Sequence, residues 1–315
     1  PLLGTNAHVE GDDCYFVAEG DESDGTLVNY RPEHTILLNI EEEHLDFYSG
    51  LDHINRVFAQ LCDQTSGTIY FCKADEHAAK MCEDRENTIS YGWDSSCDIY
   101  AEGVTFNRRM TRFHVIRDGK DLGEFVLGVP GNHNVLNALA AIALAQDLGV
   151  DESAIREALE SFHGARRRFE ARYRSDQFSV IDDYGHHPTE IEATLEAAKA
   201  IDPQRLLVLF QPHRFSRTQR LRDEFGAAFW MADDVVVTGI YPASEQPIEG
   251  ITGQTIVDAV TEHATERDID ITATYVESLN RARLAIGNKL RRGDMVMTLG
   301  AGNVNSICDR LAERL

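Results

Sequence analysis

From Phe178 onward, short apolar runs at 178–183, 205–210, 234–239, 271–276 and 294–299 alternate with helical-period stretches near 188–201, 217–231, 253–265, 278–291 and 304–314. Strand–helix alternation of this kind predicts a mostly parallel sheet covered on both faces. Upstream the rhythm is less regular. Strands are expected at Cys14–Ala18, Thr35–Ile40 and Thr68–Cys72, the first two dense in apolar or β-branched residues. Between Asp98 and Val129, alternating runs (VTFN, FHVI, EFVLGV) separated by RDGK-type turns predict antiparallel hairpins. An amphipathic run from His133 to Leu148, ending at Gly149, follows Pro130-Gly131-Asn132. A second helix is expected over Asp151–Phe162, with an Asp cap and a stop near Gly164. The basic, glycine-containing stretch Phe162–Arg168 is the best hinge. It sets a domain break within about five residues of Gly164, the precision such boundaries allow.

Composition narrows the class. At 315 residues the chain exceeds one average domain, and 43% hydrophobic content supports real cores. A formal charge of −23 argues against nucleic acid or an anionic membrane as the main partner. Local arginines (Arg166, Arg167 and Arg168, then Arg214 and Arg217) still leave a phosphate-bearing small ligand open, although arginine runs are often solvated surface. The six cysteines form no CxxC pair and read as reduced thiols of a cytosolic protein. No apolar run approaches a membrane span and no signal peptide is evident.

Several polar clusters fall at expected strand ends, where α/β sheets collect ligands. VIDDYGHHPTE ends a strand in Asp182 and Asp183, followed by Tyr184, a glycine, His186, His187 and a proline suited to a helix start. A capped turn with histidines in water fits the same pattern. Glu19-Gly20-Asp21-Glu22-Ser23-Asp24 and Glu41-Glu42-Glu43-His44-Leu45-Asp46 are acidic knots. They suit either a magnesium site or two solvated loops. Asn134 and Asn137 share a helix face, and their amides suit a purine edge. Arg214 and Arg217 stand at a helix start, where paired guanidinium hydrogen bonds can grip a carboxylate or phosphate. Leu299-Gly300-Ala301-Gly302-Asn303 lacks a full GxGxxG and reads as a tight turn.

Taken in order, GDESD, NIEEEHLD, GNHNVLNALAA, RRFE, DDYGHHPTE and QPHRFSRT resemble the Mur ligases of peptidoglycan synthesis, over nearly the whole chain. The last two motifs resemble the alanine-adding branch. The resemblance implies a truncated central ATPase-type α/β domain over 1–163, followed by a Rossmann-like, mostly parallel α/β acceptor domain over 164–315. It implies an ATP- and Mg2+-dependent amide ligase that joins L-alanine to UDP-N-acetylmuramate through an acyl phosphate. Related ligases attaching another amino acid or a recycled peptide are the alternative, as is a non-catalytic nucleotide-binding fragment.

Carried over by position, Glu19 and His44 fall where the family binds magnesium, which predicts neighbouring strand ends sharing one cation. Asn134 and Asn137 match its adenine contacts, Arg168 a phosphate-contacting arginine, and Asp183 a nucleotide-side carboxylate. Tyr184, His186, Arg214 and Arg217 match the group around the acceptor amino acid and substrate carboxylate, and His186, Arg168, Arg214 and Arg217 are the catalytic candidates. Two departures stand out. No lysine lies between His44 and Lys73, where many members carry a carbamoylated one; the alanine-adding branch resembles this chain in that respect. No GxxGKT phosphate loop is present, so these residues alone are expected to be inactive.

Overall fold

The computed structural model describes residues 15–44, 47–107 and 110–312. The chain divides into two compact units. One runs to Thr105 and takes in 110–128 and His133–Phe162; the other is built from His163 onward, with Phe106 and Val129–Asn132.

The first unit contains β1 (Thr35–Leu37), α1 (Leu51–Asp63), β2 (Ile69–Cys72), α2 (Glu76–Cys82), β3 (Thr88–Gly92), β4 (Ile99–Phe106), β5 (Thr111–Arg117), β6 (Lys120–Leu127), α3 (Asn132–Asp147) and α4 (Glu152–Ser161). Its sheet runs in chain order, β1 to β6, with β1 to β4 parallel and β5–β6 an antiparallel hairpin. The sequence reading passes over α1, yet Ile54, Val57 and Leu61 are spaced three and four apart and bury one face against Leu37, Ile69 and Phe71. It also passes over α2, capped by Asp75 through the Ala78 N–H.

Two expectations fail here. The described part of the Cys14–Ala18 run forms no strand, and Phe16 and Val17 are 91% and 89% exposed. Thr35–Ile40 shortens to three strand residues, and beyond Leu37 the chain leaves the ladder with β2.

The second unit contains β7 (Glu170–Arg174), β8 (Phe178–Asp183), α5 (Pro188–Ala200), β9 (Arg205–Phe210), α6 (Phe215–Arg220), α7 (Arg222–Ala228), β10 (Asp234–Val237), α8 (Gly253–Arg267), β11 (Thr272–Tyr275), α9 (Leu279–Gly287), β12 (Asp294–Leu299) and α10 (Cys308–Ala312). Strand order is β11-β10-β9-β12-β8-β7, parallel except for β7. Alternate residues of the central strands enter two cores. Val208, Phe210, Val235 and Met297 face α5, α7 and α8, while Leu207, Leu209, Val236 and Val296 face α9 and α10.

The helix expected over 217–231 is two short helices broken at Leu221, whose φ and ψ of −99° and 28° leave the helical range. Thr218 Oγ1 donates to the Arg214 carbonyl, a back-bond that bends short helices. The stretch 304–314 is likewise a 3-10 turn (Val304–Ile307) leading into α10. Among the described residues no helix is long and apolar enough to cross a membrane.

Candidate active site

The register of the second sheet brings three distant segments together. Leu299 of β12 stands level with Asp183 of β8 on one side and Phe210 of β9 on the other. DDYGHHPTE, QPHRFSRT and LGAGN therefore leave the sheet side by side at its carboxyl edge, the place where open α/β sheets form a ligand crevice. The glycine turn is fixed by close approach rather than by a cofactor fingerprint. Gly300 has φ of 140°, and a Cβ there would stand 2.6 Å from the Gln211 carbonyl; one at Gly302 would stand 2.4 Å from the Gln211 side-chain oxygen. That same oxygen accepts from the Val304 N–H, and the Gln211 amide donates to Asn303.

Arg167 locks this edge. Its Nε donates to Asp182, which is fully buried, at 3.1 Å, and its terminal nitrogens donate to the carbonyls of Gly300 and Gly302. Asp182 also accepts from Thr298 Oγ1 at 2.6 Å, so the buried carboxylate has both a cation and a hydroxyl. The Arg167 guanidinium lies 5.0 Å from the centre of the Tyr184 ring, and the Arg168 guanidinium 5.5 Å from it. Among the three arginines of the hinge, sequence singles out Arg168, which is half exposed and donates to Glu190 at 3.0 Å.

Asp183 accepts from the N–H groups of Gly185 and Phe169, both at 2.7 Å. Burial pushes its carboxyl up to about 6 despite these donors and Arg168. Glu190 belongs to the first turn of α5 and accepts from the N–H of His186 at 3.0 Å and of His187 at 3.2 Å. Burial opposes its ionisation, but the His186 charge, the His186 N–H and Arg168 together hold it below the ordinary carboxylate range.

On the neighbouring loop, His213 stacks on Tyr241 at 5.6 Å between ring centres and meets His186 edge-on at 5.5 Å. Arg217 approaches His213 Nδ1 at 3.4 Å. Burial, then the charges of His186, Arg217 and Arg214, bring His213 down to about 4, so it is neutral at physiological pH. Arg214 holds a left-handed φ of 69°, fixed by its N–H donating to the Tyr241 carbonyl at 2.9 Å. Such backbone strain costs about 1–3 kcal/mol in a non-glycine residue and marks places where geometry is enforced. Tyr184, His186, Arg214 and Arg217 thus gather with Asp183 on one sheet edge. The sequence reading gives no role to Arg167, Glu190, Gln211, His213 or Tyr241. Arg167 lies in RRFE, Glu190 in DDYGHHPTE, and Gln211 and His213 in QPHRFSRT, whereas Tyr241 arrives from a loop with no signal.

In the first unit, the acidic knots meet differently from the expected arrangement. Glu19 is exposed and lies in no strand. Glu22 Oε1 stands 3.2 Å from His44 Nε2 and Glu43 Oε2 3.8 Å from it, and these three residues offer ligand atoms within 4.8 Å of one another. The His44 hydrogen bond is the main cause holding Glu22 below its usual range. Glu22 owes its place to a tight turn: the Ser23 N–H donates to Asp21, the Thr26 N–H donates to Asp24, and Leu27 is buried. Tyr48 adds a hydrogen bond to the Glu22 carbonyl. Glu19 lies upstream of that turn, so Glu22 and Glu43 are the carboxylates beside His44. Asp46 of the second knot lies outside the described residues. Asn134 and Asn137 lie one turn apart near the start of α3, Asn134 half-buried and Asn137 exposed.

An α/β chain of this kind, with its polar chemistry at strand ends, matches the family profiles for the Mur ligase middle domain over residues 6–145 and the Mur ligase glutamate ligase domain over 167–302. The chain belongs to the Mur ligase family. It is 41% identical to a UDP-N-acetylmuramate–L-alanine ligase of Solibacter usitatus over 99% of its own length and 66% of the relative's. It is 39% identical to that of Syntrophus aciditrophicus over 99% and 65%. The crystal structure of the UDP-N-acetylmuramate–alanine ligase from Thermotoga maritima superposes with a TM-score of 0.75 at 30% identity, covering 93% of this chain and 62% of that one. Thermotoga maritima MurF in complex with ADP shares the fold, at a TM-score of 0.70 and 16% identity, over 92% of this chain and 65% of that one. The chain thus spans about two thirds of the length of these relatives.

Proposed function

We propose that the protein serves ATP-dependent ligation of L-alanine to UDP-N-acetylmuramate in peptidoglycan synthesis, in the cytosol. The observation that carries this reading is the convergence of Tyr184, His186, Arg214 and Arg217 on one sheet edge. The names of the curated relatives support it over nearly the whole chain. Residues 1–163 act as the central nucleotide domain and 164–315 as the acceptor domain. The muramate carboxylate attacks the γ-phosphate of ATP, and the alanine amine then attacks the acyl phosphate and expels phosphate.

Such chemistry asks mainly for positioning and charge neutralisation. Arg214 and Arg217 grip carboxylate, Tyr184 and His186 border the acceptor, and Arg168 and Asp183 serve the nucleotide side. Asn134 and Asn137 offer paired donor and acceptor groups to adenine. Two carboxylates and an imidazole within 4.8 Å fit a divalent cation, so Glu22, Glu43 and His44 would hold Mg2+. Bound there, the ion would neutralise phosphate charge. These 315 residues contain no GxxGKT loop and are proposed not to turn over by themselves.

The test uses the enzyme extended to the full length of its relatives. A charge-assisted contact made in the transition state is worth roughly 2–4 kcal/mol, so Arg214→Ala or Arg217→Ala should lower kcat/KM for alanine by about 30-fold or more. The melting temperature should barely move. Near wild-type turnover in both variants would send the acceptor site elsewhere.

A further inference from the structure

One carboxylate serves both His186 and Arg168. Glu190 Oε2 lies 3.3 Å from His186 Nδ1 and accepts from the N–H groups of His186 and His187, while Oε1 accepts from Arg168 at 3.0 Å. His186 Nδ1 also stands 3.1 Å from the backbone oxygen of Tyr184. A carboxylate and a carbonyl can only accept. The hydrogen of neutral His186 therefore belongs on Nδ1, which puts the lone pair on Nε2.

We infer that Glu190 is a positioning residue of the acceptor site, holding His186 as the Nδ1–H tautomer so that Nε2 takes the proton of the incoming amine, and tying that imidazole to Arg168. The inference rests on the acceptor-site reading above and deepens it. In the step it serves, Nε2 removes one proton from the acceptor ammonium. The freed lone pair forms the C–N bond as the bond from the acyl carbon to the phosphate oxygen breaks. The expelled phosphate carries away the second amine proton. A carboxylate behind a histidine plays this orienting part in catalytic triads.

The groups facing His186 decide how it titrates. Glu190 of α5 favours the imidazolium. Arg168 before β7, and Arg217 and Arg214 beyond His213, oppose it, and His213 and Tyr184 pack on its ring.

Helix capping alone is a second role for Glu190, and glutamine fills that position of a capping box equally well. Glu190→Gln therefore keeps the cap and removes the charge. The measurement is a pH series of long-range proton–nitrogen spectra of the 315-residue protein with 15N-histidine, His186 being assigned by its loss in His186→Asn. In the wild type, neutral His186 should show Nδ1–H. In Glu190→Gln its midpoint should fall by about one pH unit or more, with a mixed tautomer and a melting temperature within about 2 °C, since the cap survives. Glu190→Ala should show the same histidine change with a lower melting temperature. An Nε2–H tautomer in the wild type, or an unmoved midpoint in Glu190→Gln, would overturn the inference. The ligand-free spectra decide it; failure of the acceptor-site reading shows separately, as L-alanine leaving the wild-type His186 signal unmoved.

Discussion

The two sheets handle their polar groups differently. In the second unit, central strands buried on both faces end level with one another, and each charged group at that edge has a structural partner: Asp182 with Arg167, Asp183 with two backbone N–H groups, Glu190 with Arg168 and His186. In the first unit, the acidic knots lie on partly exposed loops beside a three-residue strand, and His44 is held by Glu22 and Glu43 near the surface. Electrostatic changes should therefore be expensive in the second unit and nearly free in the first.

The largest contrast comes from removing one cation in each. Arg167→Ala leaves Asp182 buried with no guanidinium and should cost about 3–5 kcal/mol in denaturant unfolding. Arg112→Ala, which breaks an exposed pair with Glu124 on the first unit's hairpin, should cost at most about 1 kcal/mol. Equal costs would erase the contrast.

Next comes pH. Asp183, raised to about 6, binds a proton in the folded state over a window where the unfolded chain has released it. Its contribution is therefore present below about pH 4 and is lost as pH rises to about 6, a change of roughly 2–3 kcal/mol. His213, lowered to about 4, has the opposite sign: the unfolded chain binds the proton first, so stability rises with pH between about 4 and 6.5. Wild-type stability should thus be flatter across this window than that of either variant. His213→Gln should lose stability as pH rises from 4 to 6, and Asp183→Asn should gain it. Parallel curves in all three proteins would remove both assignments.

The smallest effects belong to the first unit. Glu22→Gln should change stability by less than about 1 kcal/mol while weakening Mn2+ binding, read by calorimetry, by about 10-fold or more. Glu19→Gln should do neither. The reverse ranking would restore Glu19 as the ligand.

Much of the second unit was legible in sequence because strands buried on both faces read as unbroken apolar runs, as Leu206–Phe210 does. Where a local back-bond intervened, at Thr218 beneath Leu221, periodicity carried the helix straight through the break. In the first unit, α1 had the right spacing but is bounded by no strong cap, its N-cap being Gly50 without a side-chain bond. Motifs named the neighbourhood of the site and missed the residues that hold it. Glu19 and Glu22 are both acidic and three apart, and only the turn at Asp21–Gly25 decides which meets His44. Arg167 and Arg168 differ by one position, and only the folded edge, where β8 and β12 end side by side, shows which of them reaches the buried Asp182. Tyr241 enters by stacking, which no one-dimensional pattern records.

If motifs 184–186 and 213–217 form one acceptor site in the second unit, as proposed, L-alanine titrated into the 315-residue protein should perturb its backbone and histidine NMR signals there. The shifts should concentrate at Tyr184, His186, His213, Arg214, Arg217 and Tyr241, and be abolished in Arg217→Ala. Shifts confined to other parts of the molecule, or an unchanged response in Arg217→Ala, would contradict that proposal.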